Sequence, residues 1–536
     1  MWRTTMSCLV ALAVWLCATF AAAVPNPRDV VMYEVNLRAF SQAGDLAGVT
    51  ARLDNIQELG VNVIWLMPIH PIGVPNRVGP LGSPYSVQDY RAVSNEYGTL
   101  SDLTTLIGAA HDRGMYVIMD WVANHTAWDH AWVTNNPNWY TQNAQGQIVH
   151  PPGTNWQDVA DLNFDNSAMR AAMISDMQYW VSEVGIDGFR CDAADFVPFS
   201  FWQEAVPAVR SATDRPLLML AEGARTNHFT AGFDLTFGWN FYSTVRNVFN
   251  SSASAINLRN TYNSTIAQVP AGKSVLHWTT NHDESAWDAT PPVIFGSLEA
   301  SLAAFAVTVA YGGVPLVYNG QEIGWSQNVP FFSKSPLNWN SGQATADWYA
   351  KLLGVYNDRE ALRSGSLTDQ SNANVAMLLR EHEGDQVLVL VNTRNSVSQI
   401  NIPVAWRGEW VNQLDGIAKV LATTHSLAPY EVLILAAAPA LAGDFNNDGV
   451  VDAADYTVWR NHLDETNEAN INNNGDGNGV GQSDYTLWKS HYGNSNPGSG
   501  SGGLLPSAVP EPTSLALLML AATGWCVQRG PASSKS

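Results

Sequence analysis

The chain is 536 residues long, 46% hydrophobic and 10% aromatic, with a formal net charge of −21. That length suits one large domain with one or two small ones, and the apolar content excludes an intrinsically disordered protein. The acidic balance argues against nucleic acid or an anionic membrane as a partner and leaves room for a neutral or cationic ligand.

Residues 1–23 read as a secretory signal peptide. Arg3 supplies the basic start, an apolar run follows, and Ala21, Ala22 and Ala23 offer a small-residue cleavage site before Val24. From about 29 to 365, apolar strand-like runs alternate with amphipathic helical stretches. The predicted strands cover 31–36, 61–68, 115–120, 187–192, 217–222, 233–238, 275–281 and 314–320. Eight near-continuous apolar strands with helical crossovers predict an α/β fold, a parallel sheet closed into a (β/α)8 TIM barrel. The connection after Trp121 is long, turn-rich and aromatic, so 126–165 is expected to be a small inserted region lining a cleft. Residues 366–438 alternate in the antiparallel manner and predict a C-terminal β-sandwich.

The texture changes again at 443–493. "DFNNDGVVDAAD" (444–455) fits an oxygen-ligand calcium loop. Asp444, Asn446 and Asp448 fall at loop positions one, three and five, Val450 at seven, Asp452 at nine and Asp455 at twelve, with Gly449 at the turn. The helical stretch "YTVWRNHL" follows, and "SDYTLWKSHYG" repeats it, so the unit is duplicated. The second loop, "NNNGDGNGVGQSD", is poorer in acids and one residue too long. The pair resembles a type I dockerin module, and the resemblance implies Ca2+ and a cohesin-type protein partner. A Gly/Ser-rich linker (494–508) leads to "VPEPTSLALLMLAATGWCVQRG" (509–530), whose apolar run is short for a membrane span. This end resembles a PEP-CTERM sorting tail, which implies an exported protein and a sorting protease as a transient partner. Of four cysteines only Cys191 lies outside these two ends, so the core must hold the fold without disulfides.

Several predicted strands end in a polar residue: Asp120, Asp192, Glu222 and Asn281. In such a barrel the carboxyl ends of the strands share one rim, where active sites sit. Clustered acids repel, so their gathering calls for a reason. Two carboxyl groups in unlike environments, about 5 Å apart, are the equipment of retaining glycoside hydrolysis. One stays ionised to attack the sugar carbon; the other holds a proton at working pH. Arg190 and Asp192 are two apart on one strand and point to the same face, so the guanidinium can keep that acid ionised. Asp195 is odd-spaced from Asp192 and reads as structural.

Four motifs stand in order: "DWVANH" (120–125), "GFRCDAAD" (188–195), "LMLAEG" (218–223) and "TTNHDE" (279–284), with "GVNVIWLMPIHP" (60–71) and "GVPLVYNGQEIG" (313–324) around them. On these the chain from about 29 to 438 resembles the α-amylase family, glycoside hydrolase family 13. The resemblance implies Asp192 as nucleophile, Glu222 as general acid and then base, and Asp283 as the acid that binds sugar hydroxyls and favours the distorted transition state. It implies Arg190 as the residue holding Asp192 ionised, Asp120 as a structural acid near it, His125 and His282 as hydrogen-bonding partners of the sugar, and Tyr85 as its stacking surface. Asn124 and Asp161 match positions where many members bind a structural calcium. Ala194-Asp195 stands where classical α-amylases carry a Lys-His pair, which leaves the subfamily open. The expected activity is that of a secreted retaining hydrolase of α-glucans (starch, glycogen and maltooligosaccharides). A transglycosylase using the same intermediate and a non-catalytic glucan-binding scaffold are the alternatives, and the linkage and the endo or exo mode stay undetermined.

Overall fold

The structure is a computed structural model that describes residues 24–437, 441–446, 449–472 and 474–494. The expected signal peptide, the linker beyond residue 494, the sorting tail and Asp448 lie outside the described residues. The chain divides into two compact units, one running to Ile402 and including Thr423–Ile434, the other formed by Pro403–Ala422 and the chain from Leu435.

The first unit contains the barrel. Its strands are β1 (Met32–Val35), β2 (Val63–Leu66), β3 (Tyr116–Val122), β4 (Gly188–Asp192), β5 (Leu218–Ala221), β6 (Leu235–Phe237), β7 (Ser274–His277) and β8 (Val314–Tyr318). Each pairs in parallel with the next, and β8 pairs with β1 to close the ring. Closure works because both faces of nearly every strand are buried, as apolar runs demand. Met32, Trp65, Ile118, Leu220, Leu276 and Leu316 meet in one cluster with no exposed surface. Burying each is worth about 1.5–3 kcal/mol, before the entropy of ordering it.

The crossover helices follow from local rules. Leu100–His111 starts at a capping box, with the Thr99 hydroxyl accepting from Asp102 N and the Asp102 carboxylate accepting from Thr99 N. Leu103, Leu106, Ile107 and Ala110 form its buried stripe at helical spacing.

Two of the polar residues expected to end strands are displaced by two residues or more. Strand β3 continues past Asp120 to Val122, because Val122 still pairs with Asp192. Strand β7 stops at His277, four residues before Asn281, whose side-chain oxygen instead accepts from Glu284 N at 2.9 Å. The inserted region is tied down by a ribbon in which His125–Ala127 runs antiparallel to Val159–Asp161, with His125 opposite Asp161. After the barrel, Ser366–Asp369, Val375–His382 and Asp385–Asn392 pair antiparallel in that order, and Ser398–Asn401 pairs with Thr424–Leu427.

In the second unit Gly408–Asn412 pairs antiparallel with Ala418–Leu421, and Val411 and Asn412 pair with Ala436 and Leu435. Beyond them, helices Ala453–Asn461 and Gln482–His491 enclose a small core of Phe445, Val451, Trp459, Ile471, Val480 and Trp488. The duplication seen in the sequence becomes reciprocal contact here. Trp459 donates its indole N–H to Gly481 O at 2.7 Å, and Trp488 donates to Asp452 O at 2.8 Å. Each repeat completes the other, so neither buries its tryptophan alone.

One glycine fixes the register of the barrel at the site. Gly188 opens β4 with φ +149°, and a Cβ there would lie 1.8 Å from Leu218 O on β5. Gly188→Ala is therefore expected to push β4 off β5 and to cost ~2 kcal/mol or more. Chemical denaturation would show this as a lower midpoint; an unchanged midpoint would contradict the backbone contact.

Candidate active site

At the carboxyl ends of the strands, Arg190 on β4 is wholly buried and reaches three acids. Its Nη1 donates to Asp120 Oδ1 and to Asp192 Oδ1, both at 2.8 Å. Its Nη2 lies 3.0 Å from Glu222 Oε1 but without hydrogen-bond alignment. Strand pairing sets this geometry: Asp120 sits opposite Arg190 across β3 and β4, and Glu222 follows directly on β5. Burial opposes the charge on Arg190, but Asp120, Glu222, Tyr85 and Asp192 outweigh it and hold the guanidinium protonated.

One guanidinium cannot balance three ionised carboxylates where burial penalises charge. Glu222 is the acid that gives way. Burial first, then Asp192 and Asp283, push its carboxyl up to about 8 against the opposing pull of Arg190. Its Oε2 accepts from Ala193 N at 2.6 Å. Ala193 adopts φ +43° to aim that N–H, a left-handed conformation unusual outside glycine. Asp120 is also raised, to about 6, chiefly by burial, and its second oxygen accepts from the Tyr85 hydroxyl at 2.9 Å and the Trp65 indole at 3.2 Å.

The loop after β7 brings His282 and Asp283 to the same place. His282 Nε2 lies 2.8 Å from the Tyr85 hydroxyl and 3.5 Å from Asp283 Oδ2. Its Nδ1 lies 2.5 Å from Glu34 Oε1, a fully buried acid on β1. The Tyr85 hydroxyl gives its single proton to Asp120, so His282 Nε2 must donate to Tyr85. With Glu34 accepting at Nδ1, both ring nitrogens carry protons and the ring is an imidazolium. Burial disfavours that charge, but Asp283 and Glu34 outweigh it and raise His282 to about 9. His125, by contrast, is buried with its pKa lowered, mainly by burial, so it is neutral at neutral pH.

A single hollow of about 720 Å³ is lined by Tyr85, His125, Asp192, Glu222, His282 and Asp283 together. Arg190 and Asp120 lie beneath its floor. The sequence motifs thus converge on one cavity, while Glu34, Phe196 and Trp287 escaped the sequence reading. Phe196 and Trp287 line the hollow and stay 57% and 62% exposed, so their rings are open to a ligand there. Trp287 also donates its indole N–H to Asp283 Oδ1 at 3.2 Å. Asp195 accepts from Ala224 N and contacts His228 Nε2 at 2.7 Å. Burial raises its pKa, yet those partners and Arg225 bring it below the ordinary value.

Asn124 and Asp161 line a separate hollow with Thr141, Asn163 and Asp165. These are oxygen donors, as a hard cation needs. Among the described residues, however, no three carboxylate or imidazole ligand atoms gather there. Among the described residues such a trio occurs in the second unit alone, where Glu468, Asp476 and Asp484 bring ligand atoms within 4.8 Å of one another. Asp476 and Asp484 belong to the second loop, whose hydrogen bonds repeat those of the first. Asp484 accepts from Asp476 N and Gly481 N as Asp455 accepts from Asn446 N and Asp452 N. Asp476 is eight residues from Asp484 where Asn446 is nine from Asp455, so this loop is one residue shorter than the first, where the sequence reading had it one too long.

Comparison with known proteins places these features. Residues 26–157 and 135–374 match the family model described as alpha amylase, catalytic domain. The chain is 28% identical over 404 residues to the alpha-amylase MalA of Haloarcula japonica, covering 71% of this chain and 58% of that protein. It is 31% identical over 205 residues to an oligo-1,6-glucosidase of Halalkalibacterium halodurans, covering 32% of this chain and 35% of the relative. The crystal structure of an alpha-amylase from Lactobacillus plantarum superposes with a TM-score of 0.70 at 27% identity, covering 77% of this chain and 99% of that one. The chain therefore spans just over half the length of the Haloarcula japonica relative.

The Glu34 contact has a measurable consequence. His282 gains its proton affinity from its partners, so its stabilisation is full below the unfolded value of about 6.5 and is lost as pH rises through about 9. Glu34→Gln removes one of the two acids and is expected to lower the His282 midpoint by ~1 pH unit or more. Nitrogen-15 NMR of the imidazole would report it; an unmoved midpoint would show that Glu34 does not hold the ring.

Proposed function

Because the chain belongs to the alpha-amylase catalytic-domain family, we propose that it is a glycosidase cleaving α-glucans by retaining double displacement. The observation that carries this reading is the unequal pair held by one guanidinium: Asp192 hydrogen-bonded to Arg190, and Glu222 raised to about 8. Asp192 Oδ attacks the anomeric carbon while Glu222 passes its proton to the departing glycosidic oxygen. The ionised Glu222 then takes a proton from water, which displaces Asp192 with restoration of the starting configuration. Asp283, the His282 imidazolium and neutral His125 bind the hydroxyls of the sugar at that point, and Tyr85 forms its stacking surface.

The open rings of Phe196 and Trp287 favour a second reading. They give an acceptor sugar a stacking surface beside the acids, so the intermediate can pass to sugar in place of water. Products longer than the input maltooligosaccharide would distinguish transfer from hydrolysis.

The duplicated module is proposed to bind Ca2+. Glu468, Asp476 and Asp484 would hold an ion in the second loop, and Asp444, Asn446, Asp452 and Asp455, with Asp448 and the Val450 carbonyl, in the first. The converging carboxylates of the second loop support this by their oxygen chemistry. The ion's contribution would be to fold and docking, toward a cohesin-type partner, with no part in glycoside cleavage. Export, with cleavage near residue 23 and sorting through 509–530, is likewise proposed from sequence alone; mass spectrometry of the mature protein tests it.

Three outcomes follow. Asp192→Asn is expected to lower starch hydrolysis by several orders of magnitude, ~10³ or more, since no covalent route remains. In the wild type, turnover should fall as pH rises through about 8, where Glu222 loses the proton it donates; reducing-sugar assays across pH read this, and full activity at pH ~10 would exclude Glu222 as the acid. For the module, a chelator should lower the midpoint of a thermal transition that Ca2+ restores; identical melting curves with and without Ca2+ would reject the ion.

A further inference from the structure

We propose that a hollow on the opposite face of the barrel binds a phosphate-like oxyanion. It has a volume of about 250 Å³ and is lined by Arg28, Lys273, Arg363 and Arg380. Ser274, which opens β7, and Gly313, which precedes β8, also line it, so it lies at the amino ends of the strands, away from the candidate active site.

The charges there do not balance. Lys273 pairs with Asp234 at 3.0 Å and Arg363 with Asp29 at 2.8 Å. Among the described residues, Arg28 and Arg380 have no carboxylate within ion-pair reach. Four cations against two acids leave a surplus of two positive charges, in a chain whose formal net charge is −21.

Arg380 is the decisive residue. It is only 3% exposed, and its Nη1 is buried with no hydrogen-bond partner. Its Nε donates to Ala361 O at 3.1 Å. The guanidinium lies against Gly312, which has φ +77° and where a Cβ would sit 3.4 Å from Nη1. A buried cation without a counter-charge is strongly disfavoured, and the fold keeps this one beside a second cation rather than a carboxylate. Burial lowers the pKa of Arg380; Tyr262, which hydrogen-bonds the guanidinium, and Tyr356 oppose this in part, and Arg28 lowers it further. A tetrahedral oxyanion removes both penalties, because a guanidinium fork matches phosphate oxygens and the dianion offsets the surplus. The volume admits free phosphate with water or the phosphoryl end of a sugar phosphate.

Calorimetric titration of the full chain with inorganic phosphate and with glucose 6-phosphate, at fixed ionic strength, tests this. One saturable site is expected in the wild type. Arg28→Gln, at a half-exposed position, and Arg380→Lys, which keeps the charge but loses the fork, should each weaken it about tenfold or more. Lys351→Gln, outside the hollow, should leave it unchanged. Tighter binding of phosphate assigns the free anion and tighter binding of glucose 6-phosphate assigns a sugar-borne group; either upholds the site. No saturable heat from either probe up to ~10 mM, or equal affinity in wild type and Arg28→Gln, would overturn it. Should Arg380→Lys fail to fold, Arg28→Gln decides alone. The readout is independent of glucan turnover, so the site and the proposed glycosidase activity stand or fall separately.

Discussion

A single buried guanidinium organises the carboxyl rim of this barrel. Arg190 has no exposed surface and is within 3.0 Å of Asp120, Asp192 and Glu222. Charge at zero exposure is costly, so the arginine needs acids, and acids crowded together need the arginine. The balance is incomplete by design of number: one cation, three carboxyls. The surplus falls on Glu222, whose contact with the guanidinium is the least aligned and whose proton is held to about 8. Chemical inequality between two carboxyls thus arises from geometry around a third group.

The barrel is what makes that geometry rigid. Asp120 and Arg190 face each other across paired strands, and Val122 and Asp192 are the next pair but one along. The close approach of β4 to β5 at Gly188 sets where Glu222 emerges. Around this, Tyr85, His282 and Glu34 form a relay of short contacts reaching back to β1, so strands at both seams of the ring support one site. The His282 charge is a product of that relay: an isolated buried imidazole would be neutral, as His125 is.

The two ends of the barrel carry opposite surpluses. Acids outnumber the cations Arg190 and His282 at the carboxyl rim, and cations outnumber acids in the hollow at the amino end, where Arg28 and Arg380 lack carboxylate partners among the described residues. A neutral sugar that develops positive charge at its anomeric carbon suits the first environment, and an oxyanion suits the second. The overall acidity of the chain conceals this local segregation.

Much of this was legible in the residues themselves. Apolar runs placed all eight barrel strands to within a few residues, because strands buried on both faces have nothing polar to blur them. The motifs located Asp192, Glu222, Asp283, Tyr85, His125 and His282, which now line one cavity. Asp120 was misplaced as a strand end, since pairing with β4, which composition does not encode, carries β3 two residues further. Glu34 is 248 residues from its imidazole partner, and Glu468 completes the acid trio of the second loop from outside it. Local pattern and spacing determine which segments become strands and which residue types reach the rim. Only the closed ring decides which distant side chains share a low-dielectric space, and that sharing sets who holds a proton and which cation goes without a partner.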